Sequence, residues 1–246
     1  MDEPLVHVFR LSALGDRVLL IELGDDASAE TALRVRLVGE DLMAKPLPGV
    51  VDVVPAVCSV ALHYDPLALV TLDAAEQLGP YALLAQRVTE RLTSLNPRSL
   101  PEARTLEIPV CYDGAFGEDL AALAQARALH VDEVIALHCA PLYRVQVLGF
   151  APGFAYLAGL DPRLATPRRT TPRQRVPAGS VGIGGELTAV YPFELPGGWN
   201  LIGRSPVRLF DADRDPPSQL SIGDRVRFVP IDMPEYERLS KEHAWR

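Results

Sequence analysis

The sequence predicts an α+β protein in two parts, a small sheet with two helices followed by a β-rich domain. At 246 residues the chain exceeds the usual size of one domain. Strand and helix patterns alternate over residues 1–95, whereas short strands broken by Gly and Pro dominate after residue 104. The chain holds 22 prolines, roughly twice the average usage of about 5%, and most follow Pro101. Together these features predict a domain over 1–95, a linker over 96–104 and a second domain over 105–246.

In the first domain the apolar residues follow two kinds of spacing, one typical of strands and one typical of helices. Alternation predicts strands over 5–9, 18–23, 50–57 and 59–64. Helical spacing predicts one helix over 27–44 and another over 72–95, the second opening on the capping-box-like pair Asp73 and Glu76. Two helices covering one face of a small sheet would bury both apolar stripes.

The linker has two prolines and no apolar period. Beyond it, strands are predicted over 106–111, 142–148, 180–184, 187–191, 199–202, 207–210 and 225–229, with helices over 118–129 and 131–139. Many short strands with frequent turns are typical of a sandwich or a barrel.

Composition excludes several classes of function. A net charge of −8 and a pI near 5.2 argue against a nucleic-acid-binding protein. We see no apolar run long enough to span a bilayer and no signal peptide, so a cytoplasmic protein is expected. The three cysteines, Cys58, Cys111 and Cys139, fit neither a disulfide framework nor a metal pair. No metal site is predicted.

His138 and the strand after it carry the first candidate chemistry. His138 falls on the apolar face of its helix, which suits a core histidine bound to a backbone carbonyl. Alternatively, the helix dipole would favour a protonated imidazole that contacts an anion near the domain's opening. Arg144 and Gln146 alternate with leucines, so they either line a cavity or face solvent at an edge.

Two consecutive segments combine aromatic rings and guanidinium groups. Residues 149–157 hold Phe150, Gly153 and Tyr156, and predict an irregular loop with an apolar wall or a purely structural loop. The arginine segment, residues 161–177, contains five arginines, including Arg168 and Arg173. It predicts an anion site or partner contact, since prolines stiffen it, or else a solvated loop.

Two glycine-rich segments follow. Residues 176–185, with Gly179 and Ser180, predict a strand that another group approaches closely. Residues 191–206 place Glu194, Trp199 and Arg204 around a Pro-Gly-Gly turn, which suits the rim of a pocket. No complete nucleophile–base set can be assembled, so the residues alone predict one polar, arginine-equipped cleft.

Several of these segments resemble one known family, that of the 5-oxoprolinase B subunit, also called allophanate hydrolase subunit 1 or kinase-inhibitor-like, with carboxyltransferase subdomains C and D. The motifs that carry the resemblance are Gly149-Phe150-x-Pro152-Gly153-Phe154-x-Tyr156, Thr166-Pro167-Arg168, Val176-Pro177-Ala178-Gly179-Ser180, Pro196-Gly197-Gly198-Trp199 and Gly223-Asp224-x-Val226-x-Phe228. The resemblance implies a small N-terminal α+β domain followed by a cyclophilin-like β-barrel.

The resemblance also implies a function. Such a chain would act with a companion 5-oxoprolinase C subunit and a third, lactam-processing subunit to open the lactam of 5-oxoproline to glutamate at the expense of ATP. It would be inactive alone, and ATP, with or without Mg²⁺, would belong to the complex, because no nucleotide motif is evident in this chain. Two alternatives are a regulatory protein that inhibits a sensor histidine kinase and a subunit of an allophanate or urea-amide hydrolase.

The resemblance supplies the candidate site residues. The catalytic candidates are His138, Arg144, Arg168 and Glu194. The candidates for binding substrate or an anion are Phe150, Gly153, Tyr156, Arg173, Gly179, Ser180, Trp199 and Arg204. The chain departs from the family's usual residues at Leu187 and Leu195, where relatives carry Gln and Ser, so its substrate could differ.

Overall fold

A computed structural model describes residues 8–70, 78–95 and 103–242. The chain forms two compact units whose boundary lies between Glu102 and Ala103. We call them the N-terminal unit and the barrel unit. The predicted domain and linker ranges remain a prediction, because residues 96–102 lie outside the described part.

The N-terminal unit is built on a four-stranded antiparallel sheet. Its strands are β1 (Arg10–Ala13), β2 (Val18–Glu22), β3 (Val50–Pro55) and β4 (Ser59–Tyr64), in the order β1-β2-β4-β3. The predicted strands over 18–23, 50–57 and 59–64 are confirmed with small changes at their ends. The strand predicted over 5–9 lies mostly outside the described residues, and the first described strand begins at Arg10.

Within the described residues of this unit, three helices accompany the sheet: α1 (Ala29–Ala44), α2 (Pro66–Val70) and α3 (Pro80–Thr93). Ser28 begins α1 by accepting a hydrogen bond from the Thr31 amide at 3.2 Å, as an N-cap does. The helix predicted over 72–95 is interrupted at Gly79, and its first residues, 72–77, lie outside the described part. Gly79 has a φ of 78°, which a helix does not allow, so α3 begins at Pro80. The predicted Asp73–Glu76 cap lies outside the described residues.

Alternate residues of the two central strands form the core of this unit. Leu19 and Ile21 of β2 and Leu62 of β4 are fully buried and belong to one cluster with the apolar faces of α1 and α3. Asp41 joins these two helices by accepting hydrogen bonds from Arg91 at 2.7 and 2.9 Å. The predicted layer of helices on a small sheet is confirmed.

The barrel unit contains a closed seven-stranded barrel, in the order β10-β7-β6-β13-β5-β12-β9. These strands are β5 (Thr105–Cys111), β6 (Tyr143–Leu148), β7 (Ala155–Ala158), β9 (Ser180–Gly184), β10 (Leu187–Val190), β12 (Asn200–Arg204) and β13 (Arg225–Ile231). β5 and β13 run parallel along their whole length, while the other paired strands are antiparallel. The predicted barrel is confirmed.

Further elements surround the barrel. They are the helices α4 (Leu120–Ala126), α5 (Val131–Cys139) and α6 (Met233–Glu242), a 3₁₀ turn (Pro162–Leu164), and a two-stranded sheet of β8 (Arg173–Val176) and β11 (Leu195–Gly197). The strand predicted over 207–210 is absent from the described structure, where only Phe210 forms an isolated bridge, to Ser218. The loop predicted over 149–157 ends at Phe154, because β7 starts at Ala155.

Two separate cores fill this unit. Alternate strand residues such as Val181, Ile183 and Phe228 form the larger core inside the barrel. A smaller aromatic core consists of Phe154, Val176, Ala189, Tyr191, Trp199 and Leu201. Val181 and Ile183 point to the larger core, so the glycines between and after them, Gly182 and Gly184, face the other side, toward Trp199. None of the described helices is long and apolar enough to cross a membrane.

Candidate functional site

A pocket of about 270 Å³ lies beside the aromatic core, and we call it the Trp199 pocket. Its lining comes from three segments that the sequence analysis singled out: the loop before β7, the arginine segment and the Pro-Gly-Gly turn. The lining residues are Phe150, Phe154, Tyr156, Arg168, Arg169, Pro172, Tyr191, Pro196, Gly197, Gly198 and Trp199.

Aromatic rings form one wall of the pocket. The Phe154 ring packs edge-on against Tyr156, Tyr191 and Trp199, with centroid distances of 4.9, 5.3 and 5.8 Å. Trp199 lies flat on β9 because Gly184 has no side chain: a Cβ there would lie 2.6 Å from the indole ring. The glycine-rich strand therefore makes room for an indole, as the predicted close approach required.

Phe150 stands at the mouth of the pocket. It has a φ of 70°, a conformation that costs a residue with a Cβ free energy, and its side chain is largely exposed. Its ring meets Phe154 at 5.3 Å. Gly153 turns the chain with a φ of 77° and leaves room for Phe210, whose Cβ would lie 2.5 Å from a Cβ at position 153. The turn thus holds an aromatic ring at the opening.

Arg168 is the cation that faces this wall. Its guanidinium carbon lies 5.6 Å from the centroid of the Trp199 ring, within the range of a cation–π contact. Within residues 8–70, 78–95 and 103–242, no carboxylate forms an ion pair with Arg168. A guanidinium that is free of a carboxylate and lies over a ring can bind an anion through its N–H groups.

The other arginines of the segment are already paired with carboxylates, two of them with Asp119. Arg169 donates to Asp119 Oδ1 at 2.8 Å. Arg173 donates to Asp119 Oδ2 and Oδ1 at 2.8 and 3.0 Å, and to Glu118 Oε2 at 3.0 Å. Sequence reasoning missed Asp119, because an acidic pair just before a helix is ordinary capping chemistry. No sequence motif links it to arginines some fifty residues away.

Asp119 is charged in the folded protein. Its burial alone would raise the pKa of the carboxyl group. Hydrogen bonds from Arg173 and from the Leu201 amide, together with the charges of Arg173 and Arg169, outweigh that effect and lower the pKa below its usual value. The carboxylate therefore remains ionised and keeps both arginines oriented.

His138 lies elsewhere, fully buried among residues of the barrel core. Its ring stacks on Phe228 with a centroid distance of 4.5 Å. Burial lowers the pKa of His138 to about 3, so the imidazole is neutral near pH 7. The predicted protonated imidazole at the domain's opening is therefore wrong, and the alternative of a core histidine is confirmed. Its partners, however, are hydroxyl groups rather than a carbonyl.

The hydrogen bonds around His138 fix the position of its proton. Thr188 gives its only hydroxyl hydrogen to the Gly182 carbonyl at 3.1 Å, so it must accept from His138 Nε2 at 2.9 Å. Nδ1 then carries no proton and accepts from the Tyr112 hydroxyl at 2.7 Å. Cys139 Sγ lies 3.4 Å from the same hydroxyl oxygen. Because the Tyr112 hydrogen is used by Nδ1, the thiol donates to that oxygen. The result is one directed chain of hydrogen bonds across the barrel.

Several other predicted residues also lie outside the pocket lining. Arg144 in β6 pairs across the ladder with Arg225 and Ala158, and its Nε has no partner among the described residues. Glu194 is exposed and lies 3.7 Å from Arg175.

Ser180 and Arg204 lie opposite each other on β9 and β12, and Arg204 covers the Phe116 ring at 4.6 Å. Gly179 packs its backbone against Ser205. The pocket thus brings together four predicted residues, Phe150, Tyr156, Arg168 and Trp199. Every functional role remains a prediction.

Comparison with known proteins identifies the family. Residues 9–220 match the model of the carboxyltransferase domain, subdomain C and D. The chain belongs to that family. Within it, this chain is 37% identical to the 5-oxoprolinase B subunit of Bacillus subtilis over 95% of its own length and 98% of the relative. It is 41% identical to the 5-oxoprolinase B subunit of Escherichia coli O157:H7 over 90% and 95% of the two chains.

Solved structures show the same carboxyltransferase fold. The structure of TTHA0988 matches with a TM-score of 0.75 and 41% identity over 89% of this chain, which spans only 40% of that longer chain. The conserved uncharacterized protein PH0987 from Pyrococcus horikoshii matches with a TM-score of 0.53 and 43% identity, over 92% of this chain and all of its own. Urea amidolyase of K. lactis, at 20% identity and a TM-score of 0.71, shows the fold alone.

The two positions at which the resemblance implies a departure from related chains lie against the aromatic core. Leu187 and Leu195 are partly buried and pack against the aromatic core. Neither of them lines the pocket. This carboxyltransferase-family member therefore has a pocket with an aromatic wall and a guanidinium group that no carboxylate of the described structure pairs with.

Proposed function

We propose that this chain is the B subunit of an ATP-dependent complex that opens the lactam of 5-oxoproline to glutamate, and that the Trp199 pocket holds the lactam acid. Relatives named as the B subunit of 5-oxoprolinase match nearly the whole chain, which supports the assignment. The observation that carries it is Arg168, unpaired by carboxylate in the described structure and placed over Trp199. The alternatives of a kinase inhibitor and a urea-amide hydrolase subunit lack an observation of this kind.

The pocket suits the chemistry of this substrate. 5-Oxoproline is a small five-membered ring with one carboxylate. The guanidinium of Arg168 would bind the carboxylate, and the accessible rings of Phe150 and Tyr156 would pack against the lactam. A volume of about 270 Å³ fits a small acid and is below the usual range for larger ligands, which begins at about 300 Å³.

The reaction requires more than this pocket provides. Opening the lactam consumes one ATP and two water molecules and yields glutamate, ADP and phosphate. In one route the γ-phosphoryl group is transferred to the lactam oxygen, a first water adds to the lactam carbon, and the C–N bond breaks to leave an acyl phosphate. A second water then releases phosphate from that acyl phosphate. Arg168 would stabilise negative charge on the bound acid. The pocket lining has no side-chain pair that could act as nucleophile and base. This chain therefore contributes binding and charge, and its companions contribute the remaining steps.

Partners and cofactors follow from the same proposal. The companions would be a protein like the 5-oxoprolinase C subunit and a third, lactam-processing subunit, working in the cytoplasm. ATP, with or without Mg²⁺, would bind at the level of the complex. In the described residues no group of three or more His, Cys, Asp or Glu could hold a metal ion, and the chain lacks a Gly-rich loop ending in Gly-Lys-Ser/Thr.

Reconstitution tests the assignment. The purified chain is mixed with the two companion proteins, and ADP release is measured with and without 5-oxoproline. We expect ADP release that depends on 5-oxoproline only when all three proteins are present. 2-Pyrrolidinone, the same lactam without the carboxylate, is the matched control and should be a much poorer substrate. An assembled complex that releases no ADP with 5-oxoproline would contradict the proposed substrate.

A further inference from the structure

Asp119 connects the segments that line the Trp199 pocket. Its carboxylate binds Arg169 and Arg173 of the arginine segment, and it accepts from the Leu201 amide of β12 at 2.7 Å. Its own amide donates to the Leu201 carbonyl at 2.9 Å. The Arg169 amide in turn donates to the Gly198 carbonyl at 2.7 Å, next to Trp199. One nearly buried carboxylate therefore fixes the spacing between Arg168 and Trp199 from both sides.

The same contacts also balance charge. Arg169 and Arg173 bring two positive charges beside the pocket, and Asp119 and Glu118 bring two negative charges within 3.0 Å of them. These ion pairs are partly buried and are screened less by solvent than surface pairs. The one lining arginine without a carboxylate partner in the described structure is Arg168. A ligand therefore meets a site whose unbalanced charge is close to +1.

We propose that Asp119 is a positioning and specificity-determining residue: it holds Arg168 against Trp199 and neutralises the neighbouring arginines, so that the pocket prefers a singly charged acid over a doubly charged one. The identity of that acid rests on the proposed function. Asp119 itself does not line the pocket, so it acts through the arginines and through β12. Without its charge, Arg169 and Arg173 would raise the positive potential at the mouth and attract a second carboxylate.

The test compares ligand charge at constant size. Trp245→Phe provides a background in which Trp199 is the remaining tryptophan, so its fluorescence reports on the pocket. The full chain in this background, with and without Asp119→Asn, is titrated with 5-oxoproline, which has one carboxylate, and glutarate, which has two. We expect the unsubstituted background to bind 5-oxoproline more tightly than glutarate. Asp119→Asn should reduce that preference by about tenfold or more, the equivalent of about 1.4 kcal/mol.

Two further variants separate charge from folding. Asp119→Asn combined with Arg169→Gln restores the charge balance but not the ion pairs that join Asp119 to the arginine segment. The preference for 5-oxoproline over glutarate should therefore return toward that of the background, while the affinity for both acids stays low. Glu118→Gln removes the exposed carboxylate and keeps the Asp119 contacts, so it should shift the preference in the same direction by a smaller factor. It replaces Asp119→Asn if that variant does not fold. If Asp119 had only a structural role, its substitution would lower the affinity for both acids by the same factor.

A measurement without ligand separates this inference from the proposed substrate. Quenching of Trp199 by iodide, an anion, is compared with quenching by neutral acrylamide. Asp119→Asn should increase the iodide effect relative to the acrylamide effect, because the negative charge that Arg169 and Arg173 share is lost. If the background binds no 5-oxoproline but the iodide effect rises, the proposed function fails and the role of Asp119 stands. An unchanged acid preference or an unchanged iodide effect would overturn the inference.

Discussion

The Trp199 pocket and the hydrogen-bonded cluster around His138 each place a polar side chain on an aromatic ring. The two sites differ in their access to solvent. Arg168 lies over Trp199 with an exposed side chain, whereas His138 stacks on Phe228 with none of its surface exposed. The pocket residues keep a charge that a ligand can reach. The barrel interior makes the imidazole neutral and gives both ring nitrogens partners. Burial, rather than residue type, therefore decides which cluster can bind a substrate.

The largest expected effect concerns the buried cluster. His138→Ala removes a stacked ring and leaves the Tyr112 and Thr188 hydroxyls without their partner. We expect the free energy of unfolding to fall by about 3 kcal/mol or more, from the cavity and from the unpaired hydroxyl group of Tyr112. Urea denaturation measures this loss. A folded variant with full stability would show that the histidine is not an integral part of the core.

The same histidine should make stability depend on pH. Its pKa is about 3 in the folded protein and about 6.5 in the unfolded chain, so the unfolded chain binds more protons between these values. Its contribution is complete above about pH 6.5 and is lost as the pH falls toward 3, at up to about 1.4 kcal/mol per pH unit. Denaturation at pH 7.5 and 5.0 measures the slope, which should decrease in His138→Gln. Asp119, whose pKa is lowered, keeps its contribution to stability above about pH 4 and loses it only as the pH falls below that value, so it does not affect the slope between pH 5.0 and 7.5.

A smaller effect is expected at the far end of the hydrogen-bond chain. Thr188→Val keeps the shape of the side chain but leaves His138 Nε2–H without an acceptor, which should lower the free energy of unfolding by about 1–3 kcal/mol. Thr105→Val, at an exposed position of β5, is the matched control and should change it by less than about 0.5 kcal/mol. Equal losses in the two variants would indicate that the hydroxyl group of Thr188 is not used.

The pocket should respond in the opposite way, through binding rather than stability. Arg168→Gln removes the guanidinium that faces Trp199, and we expect affinity for 5-oxoproline to fall by about tenfold or more with an unchanged unfolding midpoint. Arg175→Gln is the control, because Arg175 lies in the same segment but does not line the pocket. Calorimetric titration with 5-oxoproline measures both. If the two variants bind equally well, Arg168 does not recognise the acid.

Local sequence patterns predicted most of the fold. The helix over 131–139 and the strand over 180–184 agree with the structure residue for residue. Their bounds follow from the spacing of apolar residues and from glycines nearby in the sequence. The pattern failed at Gly79, where one backbone conformation ended a helix that the apolar stripe favoured. It also missed α6, a largely polar helix in which no residue is fully buried.

The site was predictable only in part. Phe150, Arg168 and Trp199 stand in motifs of unusual composition, which marked them before their neighbours were known. Asp119 stands in no motif of that kind. Its role depends on contacts with Arg173 and Leu201 that only the folded barrel creates. Periodicity placed His138 correctly on a buried face, but only the surrounding hydroxyl groups decide its protonation.

The position of β13 constrains the order in which the barrel can form during synthesis. This strand, the last in the barrel, lies between β5 and β6, and its pairing with β5 is parallel over seven residues. Until residues 225–231 leave the ribosome, both neighbouring strands lack a partner along that edge. The barrel therefore completes folding late, around a contact between residues more than a hundred positions apart, and its first strands need protection from association with other nascent chains.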